Sequence, residues 1–445
     1  MKTSFFQQLP QATFFGAFPE EVNGFWNDTR TLRPGDCFLA LTAQRDGHTF
    51  LPHARQQGAA CAIVQHIHEN LILPQVQVPD VFEAAKTLAK LHRKHYIITA
   101  ITGSYGKTST KDMLKRLLGD EAYATPENLN NELGVTLSLS RMGGERFGVI
   151  EGGIDHPGEM DLISDLIRPD IAITTGITFT HVANFENFEQ LVSEKCKILR
   201  DTLERGRIGI VGEQCLTYSI FKKSAKQCIV IGQNKNISRF PSFTYFKRVE
   251  KNEVILEGNY FSKKLFQLPK MSAGQVDNFA KVATVAKILG VSDEVIQNNI
   301  MSWQPGHMRG EEIIFRGHKV FLDTYNANPV AMLDALRYFD EQYSGENTYV
   351  LGGMRELGKY SDSIHRQFAE YFIGKQNITV FAIGIELEVF CKYLEYAKFK
   401  GKLFYFQEIN QAKNTFNAEL LGSVFVKGSQ FYHLWELINK GCSPL

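Results

Sequence analysis

The chain has 445 residues, 44% of them hydrophobic and 22% charged. That length suggests two to four domains with their own cores, and the balance excludes both a long disordered chain and a small disulfide-stapled scaffold. With 49 basic and 48 acidic side chains, a formal net charge of +1, the chain as a whole makes no electrostatic case for nucleic acid or a membrane surface.

The opening stretch, MKTSFFQQLPQATFFGAF, is too interrupted by Gln and Pro to read as a secretory leader. From there to about Tyr96, short apolar runs alternate with turn signals. Cys37 to Leu41 and Ala59 to Gln65 predict strands, and Val81 to His95 predicts an amphipathic helix. YIITAITGSYGKTSTKDMLKRLL then reads as an apolar strand, a glycine turn and a helix with Leu114, Leu117 and Leu118 on one face. That is the opening βα unit of a doubly wound sheet. FGVIEGG and DIAITTGI predict further buried strands separated by helical segments, an alternation that suggests a parallel sheet. Between Arg205 and Lys270 the shorter, more polar runs RIGIVGE, QCIVIG and EVILEGNYF predict the distal edge of that domain. QVDNFAKVATVAKILG predicts a helix stopped by Gly290. After the turn at Gln304-Pro305-Gly306 a second α/β pattern begins, with strands in KVFLDTY, TYVLGGM, TVFAIGI and GSVFVKGS. The seven cysteines include no CxxC pair, which argues against a disulfide framework or structural zinc. No apolar run reaches the ~18–20 residues of a membrane span. The expectation is a soluble, cytoplasmic α/β protein divided at 1–95, 96–303 and 304–445.

Gly103-Ser104-Tyr105-Gly106-Lys107-Thr108 lies between a strand and a helix. Backbone N–H groups and the positive helix end can cradle phosphates at such a turn. Lys107 is expected at the β- and γ-phosphates and the Thr108 hydroxyl on Mg²⁺, with Ser109 beside them. The general pattern GxxxxGK[ST] needs Gly at position 101, and this chain has Ile101, so what is present is the shorter TGxxGKT. A glycine turn with a chance Lys-Thr is the bland alternative; ATP binding is the expectation.

From this loop outward the chain resembles the ATP-dependent Mur ligases of peptidoglycan synthesis. Asp28-Thr29-Arg30, Pro34-Gly35-Asp36, Phe38 to Leu41 and Asp46-Gly47-His48 are similar to that family's uridine-nucleotide domain. Asn128 to Gly134 resembles its substrate-facing asparagine stretch, and Glu151, His181 and Lys195 fall at its metal glutamate, metal histidine and modified lysine. Arg309, the run Asp323 to Pro329, Glu356-Leu357-Gly358 and Lys427-Gly428-Ser429 recur in order in the last domain.

The resemblance implies a three-domain architecture, with a central P-loop sheet and a C-terminal Rossmann-like domain. It implies amide formation through an acyl phosphate, with ATP and Mg²⁺ as cofactors. The implied substrates are UDP-N-acetylmuramoyl-tripeptide and D-Ala-D-Ala, and the implied state is a monomer without nucleic acid or membrane partners. Lys107, Lys195, His181 and Glu151 carry the expected catalytic roles. Thr108, Glu151, His181 and Lys195, the last as a carbamate, are the expected metal ligands. Imidazole is an unusual partner for Mg²⁺, so His181 rests mostly on the resemblance. Lys197 lies roughly 200° around a helix from Lys195, so only one of the two can face the site, and spacing from His181 favours Lys195.

Around the ATP, the resemblance implies Gly103 to Ser109, Asn278, Arg309, Asp323, Tyr325 and Asn326. Asn278 is equally readable as an N-terminal helix amide. Lys427 either approaches the reacting groups or is an exposed strand-end lysine. Thr29 and Arg30 are implied at the uridine diphosphate, with Asp46 and His48 shaping the loop and Asn130 and Asn131 facing the acceptor. Thr136, Gly176, Gln275, Gly353 and Gln430 depart from the family's pattern, which bears on substrate contacts more than on reaction class. The alternatives are another ligase of this superfamily with a different acceptor or amine, or a silent relative that only binds a nucleotide sugar. A folate-type ligase is disfavoured by the Asp28 to His48 pattern.

Overall fold

The computed structural model describes residues 1–438 and 442–444. Three sheets follow one another along the chain. The first has five strands, in the order Thr13–Phe15, Gln75–Gln77, Cys61–Val64, Cys37–Leu39 and Phe25–Trp26; only its first pair is antiparallel. Apolar side chains cover both faces, with Phe6, Phe25, Val81 and Leu88 on one and Phe38, Leu51 and Ala54 on the other.

The second sheet has nine strands and runs Lys264–Gln267, Glu253–Gly258, Ser242–Glu250, Cys228–Gly232, Ile208–Gly212, Ile171–Thr174, Ile97–Thr102, Phe147–Glu151 and Ala122–Ala124. Ile97–Thr102, the earliest of these strands in the chain, sits between Ile171–Thr174 and Phe147–Glu151, so chain order reverses beside it. In such sheets ligands settle in the crevice outside the carboxyl ends at that reversal. Every residue of Phe147–Glu151 is buried. That is why its apolar residues do not alternate with polar ones, since helices cover both faces.

The distal edge departs from the parallel expectation. Ser242–Glu250 pairs parallel with Cys228–Gly232, but Glu253–Gly258 and Lys264–Gln267 return antiparallel. The linking turns are too short for the crossover a parallel pair needs. Residues of Ser242–Glu250 alternate between buried and partly exposed over part of its length, so one face meets solvent, which accounts for its polar sequence.

The third sheet has the order Lys402–Phe406, Ile378–Ile383, Asn347–Gly352, Ser423–Lys427, His318–Asp323, Glu311–Phe315 and Cys442–Pro444. Its first five strands are parallel; Glu311–Phe315 and His318–Asp323 form a hairpin whose turn residues Arg316 and Gly317 both have positive φ.

Two helices seat the first sheet on the second. Val81–His92 packs against Glu132–Ser140, and Lys86 Nζ donates to Glu132 Oε1 at 2.8 Å. At the far end of that second helix Arg141 pairs with the fully buried Asp36 at 2.6 Å and lies over the Trp26 ring. The six described free cysteines are all buried. Among the described residues no helix is long and apolar enough to cross a membrane.

Candidate active site

The strand Ile97–Thr102 delivers the chain into Gly103–Gly106, and the helix Lys107–Leu118 leaves it. Gly106, at the helix N-cap, has φ +74°, and a Cβ there would stand 2.8 Å from Asn278 Nδ2. Glycine therefore serves twice, for backbone conformation and for the approach of Asn278. Asn278 itself is buried, on the helix Ala273–Ile288.

Lys107 Nζ donates to Gly103 O at 3.1 Å, folded back over its own loop. Desolvation lowers its proton affinity, with the Glu151 carboxylate opposing that shift. The Thr108 hydroxyl donates to Glu151 Oε2 at 2.9 Å, and Asn130 Nδ2 donates to Glu151 Oε1 at 2.8 Å. Glu151 is 1% exposed. A buried carboxylate whose two oxygens are held by neutral donors is an oxygen-rich seat of the kind a hard dication takes. Asn131, next along, caps the helix Glu132–Ser140 by accepting from Gly134 N at 2.9 Å. One short segment thus ties Glu151 to the helix that carries the first sheet.

The helix Phe188–Glu204 begins at the Asn187 cap and buries Leu191, Val192, Lys195, Cys196, Ile198, Leu199 and Thr202. Lys195 falls on that apolar stripe, whereas Lys197 turns outward to Asp161 and Glu194, both at 2.6 Å. Lys195 Nζ lies 3.5 Å from the same Gly103 carbonyl that Lys107 contacts. Burial, and then the neighbouring Lys107 cation, bring its pKa down to about 7. Two lysines therefore converge on one carbonyl, and desolvation lowers the proton affinity of both.

His181 stands at positive φ (+54°) just before the turn Val182–Asn184. Its Nδ1 meets Glu356 of the third sheet's body and lies 3.4 Å from Asp155 Oδ1. Glu356, also at positive φ, has its acidity strengthened by the His181 contact, and its carbonyl accepts from Ala183 N at 3.1 Å. Among the described residues no group of three or more His, Cys, Asp or Glu side chains is placed to hold a metal ion.

A cavity of about 670 Å³ opens between the second and third sheets. Ser104 to Ser109, Asn130, Glu151, His181 and Asn278 line one side, and Arg309, Asp323, Tyr325, Asn326 and Lys427 the other. Gly103 and Lys195 are not part of its lining. Arg309 stacks 3.7 Å from the centre of the Tyr325 ring, which fixes a guanidinium fork toward the loop. Lys427 is 1% exposed and pairs with Asp323 Oδ2 at 2.6 Å while donating to Asn326 O at 3.1 Å. The exposed strand-end alternative for Lys427 therefore does not hold.

Asp334 is a feature without a local sequence signal. From the helix Pro329–Gln342 it accepts from Ser272 Oγ at 2.6 Å and Gly274 N at 3.1 Å, at the start of the helix that bears Asn278. Burial raises its carboxyl above the usual carboxylate range.

The residues expected at the uridine diphosphate lie apart from this cavity, after the carboxyl ends of strands in the first sheet. Thr29 is buried and its hydroxyl meets His53 Nδ1 at 2.8 Å; Arg30 is exposed and forked onto Asp28. Asp46 caps the turn Gly47–Phe50 through His48 N and also bonds His48 Nδ1 at 2.7 Å. His48 Nε2 accepts from Gln65 N at 2.9 Å. Asp46 and His48 hold their own loop.

Two family models match the chain. "Mur ligase middle domain" covers residues 101–286, and "Mur ligase, glutamate ligase domain" covers 308–429. A relative from Rickettsia prowazekii, named UDP-N-acetylmuramoyl-tripeptide--D-alanyl-D-alanine ligase, is 27% identical over 80% of this chain and 81% of its own. One of the same name from Bacillus subtilis is 29% identical over 78% and 76%. A crystal structure of MurF from Acinetobacter baumannii superposes with a TM-score of 0.82 at 26% identity, covering 98% of this chain and 97% of that one.

Proposed function

Because the chain belongs to the Mur ligase family, we propose that it is an ATP-dependent peptide ligase adding D-alanyl-D-alanine to UDP-N-acetylmuramoyl-tripeptide. The observation that carries this reading is the convergence of Lys107, Thr108, Glu151 and Lys195 on one loop, faced across the cavity by Arg309. The acceptor's terminal carboxylate attacks the γ-phosphorus of ATP; an O–P bond forms, and the bond to the β-phosphate oxygen breaks to leave ADP. The dipeptide's neutral amino nitrogen then attacks the acyl carbon, the C–O bond to phosphate breaks with its electron pair on oxygen, and the nitrogen gives up one proton that leaves with the phosphate. Carboxylate, triphosphate and both transition states are anionic, so fixed positive groups and N–H donors in a dry cleft do most of the work.

In this reading Lys107 and Arg309 neutralise the phosphates from opposite sides, and the loop amides bind them. Thr108 and Glu151 would hold Mg²⁺, which when bound supplies charge neutralisation of the phosphate oxygens. Lys195, with a pKa of about 7, has a large neutral fraction at physiological pH. Its nitrogen can attack CO₂, lose one proton and become a carbamate. That replaces a buried cation with an anion and supplies oxygen donors the unmodified side chain lacks. Asn278, Asp323, Tyr325 and Asn326 border the nucleoside. Thr29 and Arg30 receive the uridine diphosphate, and Asn130 and Asn131 border the peptide. Closure of the bodies on the ligands assembles the site. The setting of such a reaction is the cytoplasm, with the protein acting as a monomer.

The deciding experiment is phosphate release from ATP with the UDP-muramyl tripeptide, offered D-Ala-D-Ala, D-Ala-D-Ser or single amino acids. Release that requires both the acceptor and D-Ala-D-Ala is expected. Silence with every UDP-muramyl acceptor would reject the assignment.

A further inference from the structure

The phosphate loop carries one large side chain, Tyr105, and the fold makes room for it at Gly176. A Cβ at position 176 would stand 2.8 Å from Tyr105 Cε1, and closer still to Cζ and the hydroxyl. The ring is half-buried and forms part of the cavity wall. The same two segments are joined through their backbones. Ser104 N donates to Gly176 O at 2.7 Å, and the Thr175 hydroxyl donates to Tyr105 O at 2.5 Å.

Beyond the ring lies a chain of polar groups. The phenol contacts the Gln214 side chain. Gln214 Nε2 donates to Thr175 O at 2.8 Å and to Asp277 Oδ2 at 3.3 Å. Asp277 pairs with Lys281, which is fully buried one turn further along the helix of Asn278. Burial pushes the phenol well above its ordinary pKa, so it stays protonated. Tyr105 is therefore the loop's end of a network that reaches the helix pressing Asn278 against Gly106.

We propose that Tyr105 is a positioning residue for bound nucleotide: seated on Gly176 and tied to Gln214, it holds the loop so that Lys107 and Thr108 face the cavity. What the loop holds rests on the ligase reading above; the pairing of Tyr105 with Gly176 does not. A side chain at 176 must drive the ring off its seat, into the nucleotide's space or out to solvent, and the loop loses its tie to the Gln214–Asp277 pair. Shortening the side chain at 105 removes the three atoms that stand nearest to a methyl at 176.

The test compares Tyr105→Phe, Gly176→Ala, Tyr105→Ser and the double variant Tyr105→Ser/Gly176→Ala with wild type. One readout is amide hydrogen exchange over residues 103–109 in the free protein; the other is ADP affinity by calorimetry. Tyr105→Phe, which removes a single hydroxyl, should speed loop exchange and weaken ADP by about fivefold. Gly176→Ala should weaken ADP by about tenfold or more when Tyr105 is present, and by less than about twofold in the Tyr105→Ser background. An equal cost of Gly176→Ala in both backgrounds would overturn the proposal, as would a Tyr105→Phe variant with unchanged loop exchange. If wild type failed to bind ADP, the nucleotide reading would fall, while the exchange rates would still decide the pairing.

Discussion

The two walls of the cleft are built on different plans. On the wall formed by the second sheet, Glu151 and Lys195 are buried and fixed by their own body. Glu151 is held by Thr108 and Asn130, and Lys195 sits on the packed stripe of its helix against the Gly103 carbonyl. On the opposite side, Lys427 and Asp323 neutralise each other, while Glu356 and Asp334 reach across to His181, Ser272 and Gly274. The first wall is preorganised within one sheet. The second is completed by contact between bodies, so its geometry depends on how closely they approach. Chemistry that must survive opening and closing belongs on the first wall, and groups that report closure belong on the second.

If that division holds, damage to the first wall should be the most severe and should not depend on closure. Lys195→Ala should lower turnover by roughly 10³-fold, the scale of losing a principal electrostatic group, while ADP still binds, and excess bicarbonate should not restore it. Near-normal turnover would show that the negative charge the site needs comes from elsewhere.

The crossing contacts should behave differently. Asp334→Ala leaves the Ser272 cap of the helix Ala273–Ile288 in place but removes the acceptor of Gly274 N and, with it, one of the ties between the bodies. Such a hydrogen bond is worth about 1 kcal/mol, so the balance should shift toward separated bodies by roughly fivefold. Small-angle scattering should show a larger radius of gyration, and KM for ATP should rise while kcat at saturation changes little. A fall in kcat alone would mean Asp334 acts on the chemistry and would blur the distinction between the walls. Glu356→Gln should have a smaller effect again, about twofold to threefold in KM, because a half-exposed ion pair is worth well under 1 kcal/mol. The relevant measurement is a titration of initial rate against acceptor and ATP.

How much of this was legible in the chain follows the same division. The phosphate loop is a local signal: a strand of apolar residues, two glycines at fixed spacing and a helix start, all within Ile97 to Leu118. Glu151 could be placed at a strand end because FGVIE is a buried run. Helical angle allows only one of Lys195 and Lys197 to face the site, spacing from His181 favoured Lys195, and the structure buries Lys195 and turns Lys197 to carboxylates. The contacts of Asp334 and Glu356 were not legible, because each joins residues far apart in sequence across two bodies; Asp334 has no local signal, and the motif Glu356-Leu357-Gly358 does not say what Glu356 touches. The strand Ser242–Glu250 was missed for another reason. Its residues include Lys247, Arg248 and Glu250, and a strand with one wet face dilutes the apolar run that marks its buried neighbours. The seat of Tyr105 on Gly176 was equally hidden, since a glycine whose role is to be small shows no pattern of its own.

The two plans can also be separated by pH, with the smallest effect of all. His365 is fully buried behind the second wall. Its Nε2 accepts from Met354 N at 3.0 Å, just upstream of Glu356, and its Nδ1 meets Ser361 O at 2.9 Å. Burial lowers its pKa below the ordinary 6.5. A histidine depressed in the folded state takes up its proton more readily when unfolded, so its contribution to stability is complete above pH 6.5. It is lost as pH falls from 6.5 through the folded value. The slope is at most about 1.4 kcal/mol per pH unit for one proton. Protonated, His365 could no longer accept from Met354 N, and the segment leading to Glu356 would loosen. Amide exchange between pH 7.5 and 5.5, corrected for intrinsic rates, should therefore lose protection around Met354 to Phe368 before it does so in the strand Phe147–Glu151. His365→Asn should flatten that difference. Equal loss of protection in both segments would mean that acid acts on the molecule as a whole, and that the second wall has no acid sensitivity of its own.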